Sequence, residues 1–99
     1  MSKFELRFDP DALKEWKKLD GSVKQELKPI LLKRLENPIV ESSRLSGDLQ
    51  NCFKIKSKNT GYRLIYTVER KVLVVTVIAI GKRADFAAYQ KARKRFSNW

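Results

Sequence analysis

The chain has 99 residues, 42% of them hydrophobic and 33% charged, which suits one domain with a single modest core and excludes a disordered chain. Its formal net charge is +11, and the charge is lopsided. Residues 1–49 hold 10 Lys/Arg against 9 Asp/Glu, whereas residues 50–99 hold 12 Lys/Arg against only Glu69 and Asp85. Solubility needs charge but not one sign of it, so the second half points to a polyanionic partner, either nucleic acid or an acidic protein. The lone cysteine, Cys52, has no partner within the chain for a disulfide, which fits a reducing, cytoplasmic compartment. No apolar stretch follows the first residues as in a signal peptide. The longest apolar run, residues 72–80, is interrupted by Thr76 and is too short to span a bilayer, so no membrane partner is expected.

Residues 3–8 alternate, with Phe4, Leu6 and Phe8 on one side, and predict a first strand. Asp9-Pro10 then reads as a helix N-cap followed by proline at the first helical position. Leu13, Trp16 and Leu19 recur every three residues, and Gly21 is expected to close this helix. Ser22 and Gln25 match a capping box for a second helix with an apolar stripe of Val23, Leu27, Ile30, Leu31 and Leu35, ending near Asn37-Pro38. Pro29 lies inside that pattern and predicts a kink or a break. Together the two form a helical hairpin. Residues 39–50 have weak periodicity and read as a connecting loop.

The period then changes to two. Phe53 and Ile55 face one way and Lys54 and Lys56 the other. Asn59-Thr60-Gly61 is a turn, after which Tyr62, Leu64, Tyr66 and Val68 alternate with Arg63, Ile65 and Thr67. Glu69-Arg70 predicts a tight turn, and residues 72–80, apolar on both faces, a central strand. Asp85 is placed as the cap of a last helix with Ala88, Tyr89, Ala92 and Phe96 along one side. The expected fold is α+β in the order β-α-α-β-β-β-α: one domain, 1–99, with an antiparallel meander and the hairpin on one face of the sheet.

The sequence contains no histidine. That removes the His-pair ribonuclease mechanism, a Ser-His-Asp triad and a Cys-His nucleophile. One cysteine and no histidine leave no soft-metal cluster, Asp9 and Asp11 read as first-turn helix residues rather than metal ligands, and there is no Gly-rich phosphate loop. Neither a metal nor a cofactor is expected. The chemistry left is that of Lys, Arg and Tyr.

Lys54 and Lys56 share one strand face, about 7 Å apart by strand geometry. Arg63 follows on the next strand, Lys82-Arg83 end the apolar strand, and Tyr89 lies on the helix after it. Cleavage of RNA by its own 2′-OH needs a base, charge on the phosphorane and an acid for the 5′-oxygen. A lysine at its usual pKa of about 10.4 is a poor base, but cationic neighbours disfavour its protonated form. Arginine forks suit phosphate oxygens, and an aromatic ring can stack on a splayed base. Composition and spacing alone therefore lead to an RNA binder or a metal-free ribonuclease.

Four ordered blocks resemble the RelE family of bacterial toxins, in the RelE/ParE superfamily: residues 11–19, Cys52-Phe53-Lys54-Ile55-Lys56, Gly61-Tyr62-Arg63-Leu64-Ile65-Tyr66 and Ile80-Gly81-Lys82-Arg83. The resemblance implies a microbial-RNase-like fold and a ribosome-dependent mRNA endoribonuclease that enters the A site. It also implies a cognate RelB-type antitoxin and binding of operator DNA through the toxin–antitoxin complex. By this resemblance Lys54 or Lys56 is the general base, Arg63 meets the phosphate, Arg83 assists the leaving 5′-oxygen, and Tyr89 stacks on or orients the nucleotide. Arg44, Lys58, Lys82, Lys91, Arg93, Lys94 and Arg95 are assigned to rRNA or an acidic antitoxin segment. Two departures stand out. Leu45-Ser46-Gly47 replaces a common Leu-Arg-Gly, leaving Arg44 one position early, and Phe53 replaces a common tyrosine. The alternatives are a non-catalytic basic module that binds RNA or ribosomes, and an antitoxin-bound transcriptional corepressor.

Overall fold

The computed structural model describes residues 4–82 and 87–96. Asp9 caps the first helix as its sequence predicts: its side chain accepts the Asp11 N–H at 3.1 Å, and Pro10 opens α1 (Pro10–Lys18). The helix is preceded by β1 (Glu5–Phe8) and followed by α2 (Gly21–Arg34). Gly21 therefore begins the second helix rather than closing the first. The main chain of Asp20 decides this, because its carbonyl accepts the N–H groups of Val23 and Lys24, both at 3.1 Å. Asp20 takes the cap position without a side-chain bond, and the expected Ser22–Gln25 box is not used. Pro29 does not split α2. It lies on the exposed side, where water can satisfy the carbonyl its missing N–H would have paired.

The remaining elements are β2 (Cys52–Lys56), β3 (Tyr62–Glu69), β4 (Val74–Lys82) and α3 (Ala87–Phe96), with two short 3-10 turns, Glu41–Ser43 and Gly47–Leu49, in the long connection. The sheet order is β1-β4-β3-β2. The last three strands form the expected antiparallel meander. The sheet as a whole is mixed, because β1 lies parallel to β4, from Glu5 opposite Val74 to Phe8 opposite Val77. The β3–β4 turn is longer than expected: residues 70–73 form it, Leu73 takes φ 54, and Val72 stays 61% exposed.

The hairpin covers one sheet face. Val23, Leu27, Leu31 and Leu35 pack with Phe53, Ile55, Leu64, Tyr66, Val75 and Val77. The other face carries α3, which brings only Ala88 and Ala92 fully into a smaller cluster with Cys52, Ile65, Ile78 and Ala79. A fully buried Leu or Val contributes about 1.5–3 kcal/mol and a methyl group about 0.8, so α2 is gripped by its apolar face and α3 much less so.

One irregularity shapes the second face. Ile65 pairs with Ala79 but Tyr66 pairs with Val77, leaving Ile78 as the extra residue of a β-bulge. Ile78 and Ala79 thus face α3 together, and the alternation of β4 is reset beyond them, which sets Gly81 opposite Arg63.

Candidate active site

Strand register assembles the cations. Lys56 pairs with Arg63, and Arg63 with Gly81, while Lys54 pairs with Ile65. Cross-strand partners share a face, so Lys54, Lys56 and Arg63 all lie on the α3 side of the sheet. Arg63 is 8% exposed. Its guanidinium donates to the Tyr89 hydroxyl and lies 5.6 Å from the centre of that ring. Among the described residues no carboxylate forms an ion pair with Lys54, Lys56 or Arg63.

Three clefts border these cations. One of about 600 Å³ is lined by Leu45, Ser46, Leu49, Arg63, Tyr89, Gln90 and Arg93. A second, of about 280 Å³, is lined by Lys56, Ser57, Lys58, Gly61, Tyr62 and Arg63. A third, of about 320 Å³, includes Arg34, Ser43, Lys54 and Lys56. Arg63 borders the first two and Lys56 the last two; the third opens toward α2, with Ile30 and Ile55 also in its lining. Cys52, beside Lys54, is fully buried, and burial pushes its thiol up to about 11, partly countered by a hydrogen bond with Thr67. No thiolate nucleophile is on offer there.

The other basic residues divide by position. Lys58 and Arg93 line the clefts. Lys94 is on the exposed side of α3. Lys82 pairs with Tyr62, its ammonium 5.8 Å from that ring, so it lies on the face opposite Arg63. Arg44 forms a two-bonded pair with Glu41 at 2.7 and 2.8 Å, donates to the Gln50 carbonyl at 2.7 Å, and covers the Phe53 ring at 4.7 Å. It ties the connecting loop to β2. Lys91 and Arg95 turn away from the cleft and onto Glu15 of α1, at 2.7 and 2.9 Å. Arg83, the Asp85 cap and the aromatic tail 97–99 lie outside the described residues.

Two residues had no signal in the sequence. Arg34, at the end of α2, donates to the Tyr66 hydroxyl at 2.9 Å, to Ser43 Oγ at 3.2 Å and to the Lys54 carbonyl at 3.4 Å. Tyr66 in turn donates to the Pro38 carbonyl at 2.8 Å. This network holds the backbone of the Lys54 strand from behind. The other is Glu15. Burial would raise its carboxyl, but hydrogen bonds from Arg95 and Lys91, the Arg95 charge and the Ile80 N–H override it, and its pKa is lowered. Asp11 is 4.0 Å from Arg95 on the same side. A lowered carboxyl stabilises the fold above its ordinary pKa, and that contribution is lost as the pH falls through the lowered value. Glu15→Gln is therefore expected to melt earlier than wild type at neutral pH, by about 2 kcal/mol. Thermal melts should converge in acid; a gap that stays constant down to about pH 2 would assign the loss to packing.

The geometry can be set beside known proteins. The family model described as "ParE toxin of type II toxin-antitoxin system, parDE" matches residues 6–85. The mRNA interferase toxin RelE of Escherichia coli (strain K12) is 46% identical over 90 residues, which make up 91% of this chain and 94% of that protein. A mutant E. coli toxin RelE solved in the free state matches with a TM-score of 0.86 at 42% identity, covering 95% of this chain and 98% of that one. A chain of the intact E. coli RelBE toxin-antitoxin complex matches with a TM-score of 0.76 at 46% identity, over 82% and 96%. The matching span takes in the strands that carry Lys54, Lys56 and Arg63, and the chain belongs to the RelE family of the RelE/ParE toxin superfamily.

Proposed function

We propose that this chain is the toxin of a type II toxin–antitoxin pair and acts as a ribosome-dependent mRNA endoribonuclease. The observation that carries this reading is the register that sets Lys56 opposite Arg63 under Tyr89, with no carboxylate among the described residues to neutralise them. Like charges directly opposed across strands oppose folding, so an anionic ligand is the natural complement. In the scheme, Lys54 or Lys56 takes the proton from the 2′-OH, and the oxygen attacks the adjacent phosphorus. Arg63 meets the charge that builds on the non-bridging oxygens. The bond to the 5′-oxygen breaks, with Arg83 stabilising or protonating the leaving oxygen, to give a 2′,3′-cyclic phosphate and a 5′-hydroxyl. Tyr89 stacks on or orients the nucleotide in the 600 Å³ cleft. Cationic side chains thus supply what other nucleases draw from metal ions, and the ribosome supplies substrate orientation.

The same basic half suits an acidic segment of a RelB-type antitoxin, a partner supported by the likeness to the E. coli RelBE complex. Operator DNA would be reached through that complex, and the site of action would be the cytoplasm, where translating ribosomes are. The test is to induce the protein in a bacterium and map mRNA 5′ ends on translating ribosomes. Cuts within A-site codons are expected with wild type and should largely vanish in Arg83→Ala. Intact mRNA with growth inhibition preserved would overturn the nuclease reading in favour of non-catalytic binding.

A further inference from the structure

β1 ends at Phe8, paired with Val77, while β4 runs on to Lys82. Among the described residues no strand lies beside the outer edge of β4 beyond Val77, and its backbone groups need other partners. Side chains supply them. Glu15 of α1 accepts the Ile80 N–H at 3.2 Å. Arg95 donates to the Ile78 carbonyl at 2.9 Å, and Lys91 to the Ile80 carbonyl at 3.1 Å. Both cations then converge on the same carboxylate, Arg95 through two bonds of 2.9 Å and Lys91 at 2.7 Å. The Glu15 and Arg95 side chains are only 20% and 17% exposed.

One carboxylate therefore joins α1, α3 and the open edge of β4 at the bulge. The apolar grip on α3 is slight, being two alanines with Tyr89 and Phe96 partly buried. Tyr89 sits on this same short helix, and its hydroxyl meets Arg63. A helix held weakly by packing takes its position from its polar attachments, and the placement of Tyr89 follows that position.

We propose that Glu15 is a positioning residue: by seating Lys91 and Arg95 on the open edge of β4, it sets Tyr89 over Arg63 at the nucleotide. This rests on the reading of the site as an RNA-cleaving centre. Glu15 touches no substrate and acts through α3.

Two readouts test it. The protein has three tyrosines, Tyr62, Tyr66 and Tyr89. With 3-fluorotyrosine incorporated, its 19F signals can be assigned by Tyr89→Phe. In Glu15→Gln the Tyr89 signal is expected to move toward that of an exposed tyrosine while Tyr62 and Tyr66 stay in place. Single-turnover cleavage of ribosome-bound mRNA is expected to fall about 10- to 100-fold in the same variant, with no further fall when Glu15→Gln is added to Tyr89→Ala. An unmoved Tyr89 signal, or an equal loss of rate with and without Tyr89, would overturn the proposal. Lys91→Gln removes one cation and keeps the Arg95–Glu15 pair, so if Glu15→Gln does not fold, the same two readouts decide on it. Absence of cleavage by wild type would count against the nuclease reading alone, and the fluorine signal would still judge the role of Glu15.

Discussion

Arg63→Ala is expected to slow single-turnover cleavage of ribosome-bound mRNA by about 10²- to 10³-fold, the range for losing one preorganised group that meets transition-state charge. The magnitude follows from how the side chain is held. Arg63 comes from the middle strand of the meander, is 8% exposed, and is fixed at its tip by the Tyr89 hydroxyl. Little reorganisation remains to be done when charge develops beside it. The fold is expected to tolerate the change. Losing the side chain's packing and its bond to Tyr89 is offset by relief of the repulsion with Lys56 across the strand pair, leaving a net effect of about 1 kcal/mol or less. Arg63→Lys keeps the charge but loses the planar fork, and part of the rate should return. A folded Arg63→Ala protein that cleaves within about threefold of wild type would remove Arg63 from the transition state.

The strands that build the site were legible because two-sided alternation has few structural solutions. Phe53, Ile55, Leu64 and Tyr66 had to face a core, which turned Lys54, Lys56 and Arg63 to the other side, and the structure places both sets so. The small-residue face of the last helix was legible in the same way, since Ala88 and Ala92 are its buried residues. The bulge was not. Residues 74–80 are buried throughout, and the one polar residue among them, Thr76, lies before the bulge, so the extra residue at Ile78 leaves no trace in the pattern. Val72 and Leu73 misled because an apolar run does not stop where pairing stops; Leu73 belongs to the turn, at φ 54. The start of α2 misled for another reason: Asp20 takes the cap through main-chain bonds alone, without the side-chain bond that the Ser22–Gln25 pattern advertises.

Charge was the least legible feature at the level of single residues. In α3, Lys91, Arg93 and Arg95 look alike in the sequence. The structure sends Arg93 to the cleft and the other two to Glu15. Their partner comes from the first helix, a pairing that only the docking of α1 and α3 around β4 creates. A basic half of a chain thus contains cations of two kinds. Some, at Lys54, Lys56 and Arg63, have no ion-pair partner among the described residues, and others are used to attach the helix that completes the site.

Gly81→Ala is expected to disable the site through that helix without touching a charged residue. A Cβ at Gly81 would lie 2.9 Å from the backbone nitrogen of Ala88, 3.1 Å from Ala87 Cβ and 3.4 Å from the Ala87 carbonyl carbon. Helix backbone cannot rotate aside as a flexible side chain can, so the start of α3 must lift from the sheet. The expected cost is about 1–3 kcal/mol of stability, as for other overpacked positions. Tyr89 follows Ala88, and Gly81 lies opposite Arg63, so the displacement falls on the Arg63–Tyr89 contact itself. Cleavage should drop by about 10²-fold. Gly21→Ala is the matched control, because a Cβ there meets nothing within 4 Å, and melting temperature and rate should hold. Added to Tyr89→Ala, Gly81→Ala should lower stability again but leave the remaining rate where it was. A Gly81→Ala protein with wild-type melting and wild-type cleavage would mean that α3 is not seated on the sheet at this distance.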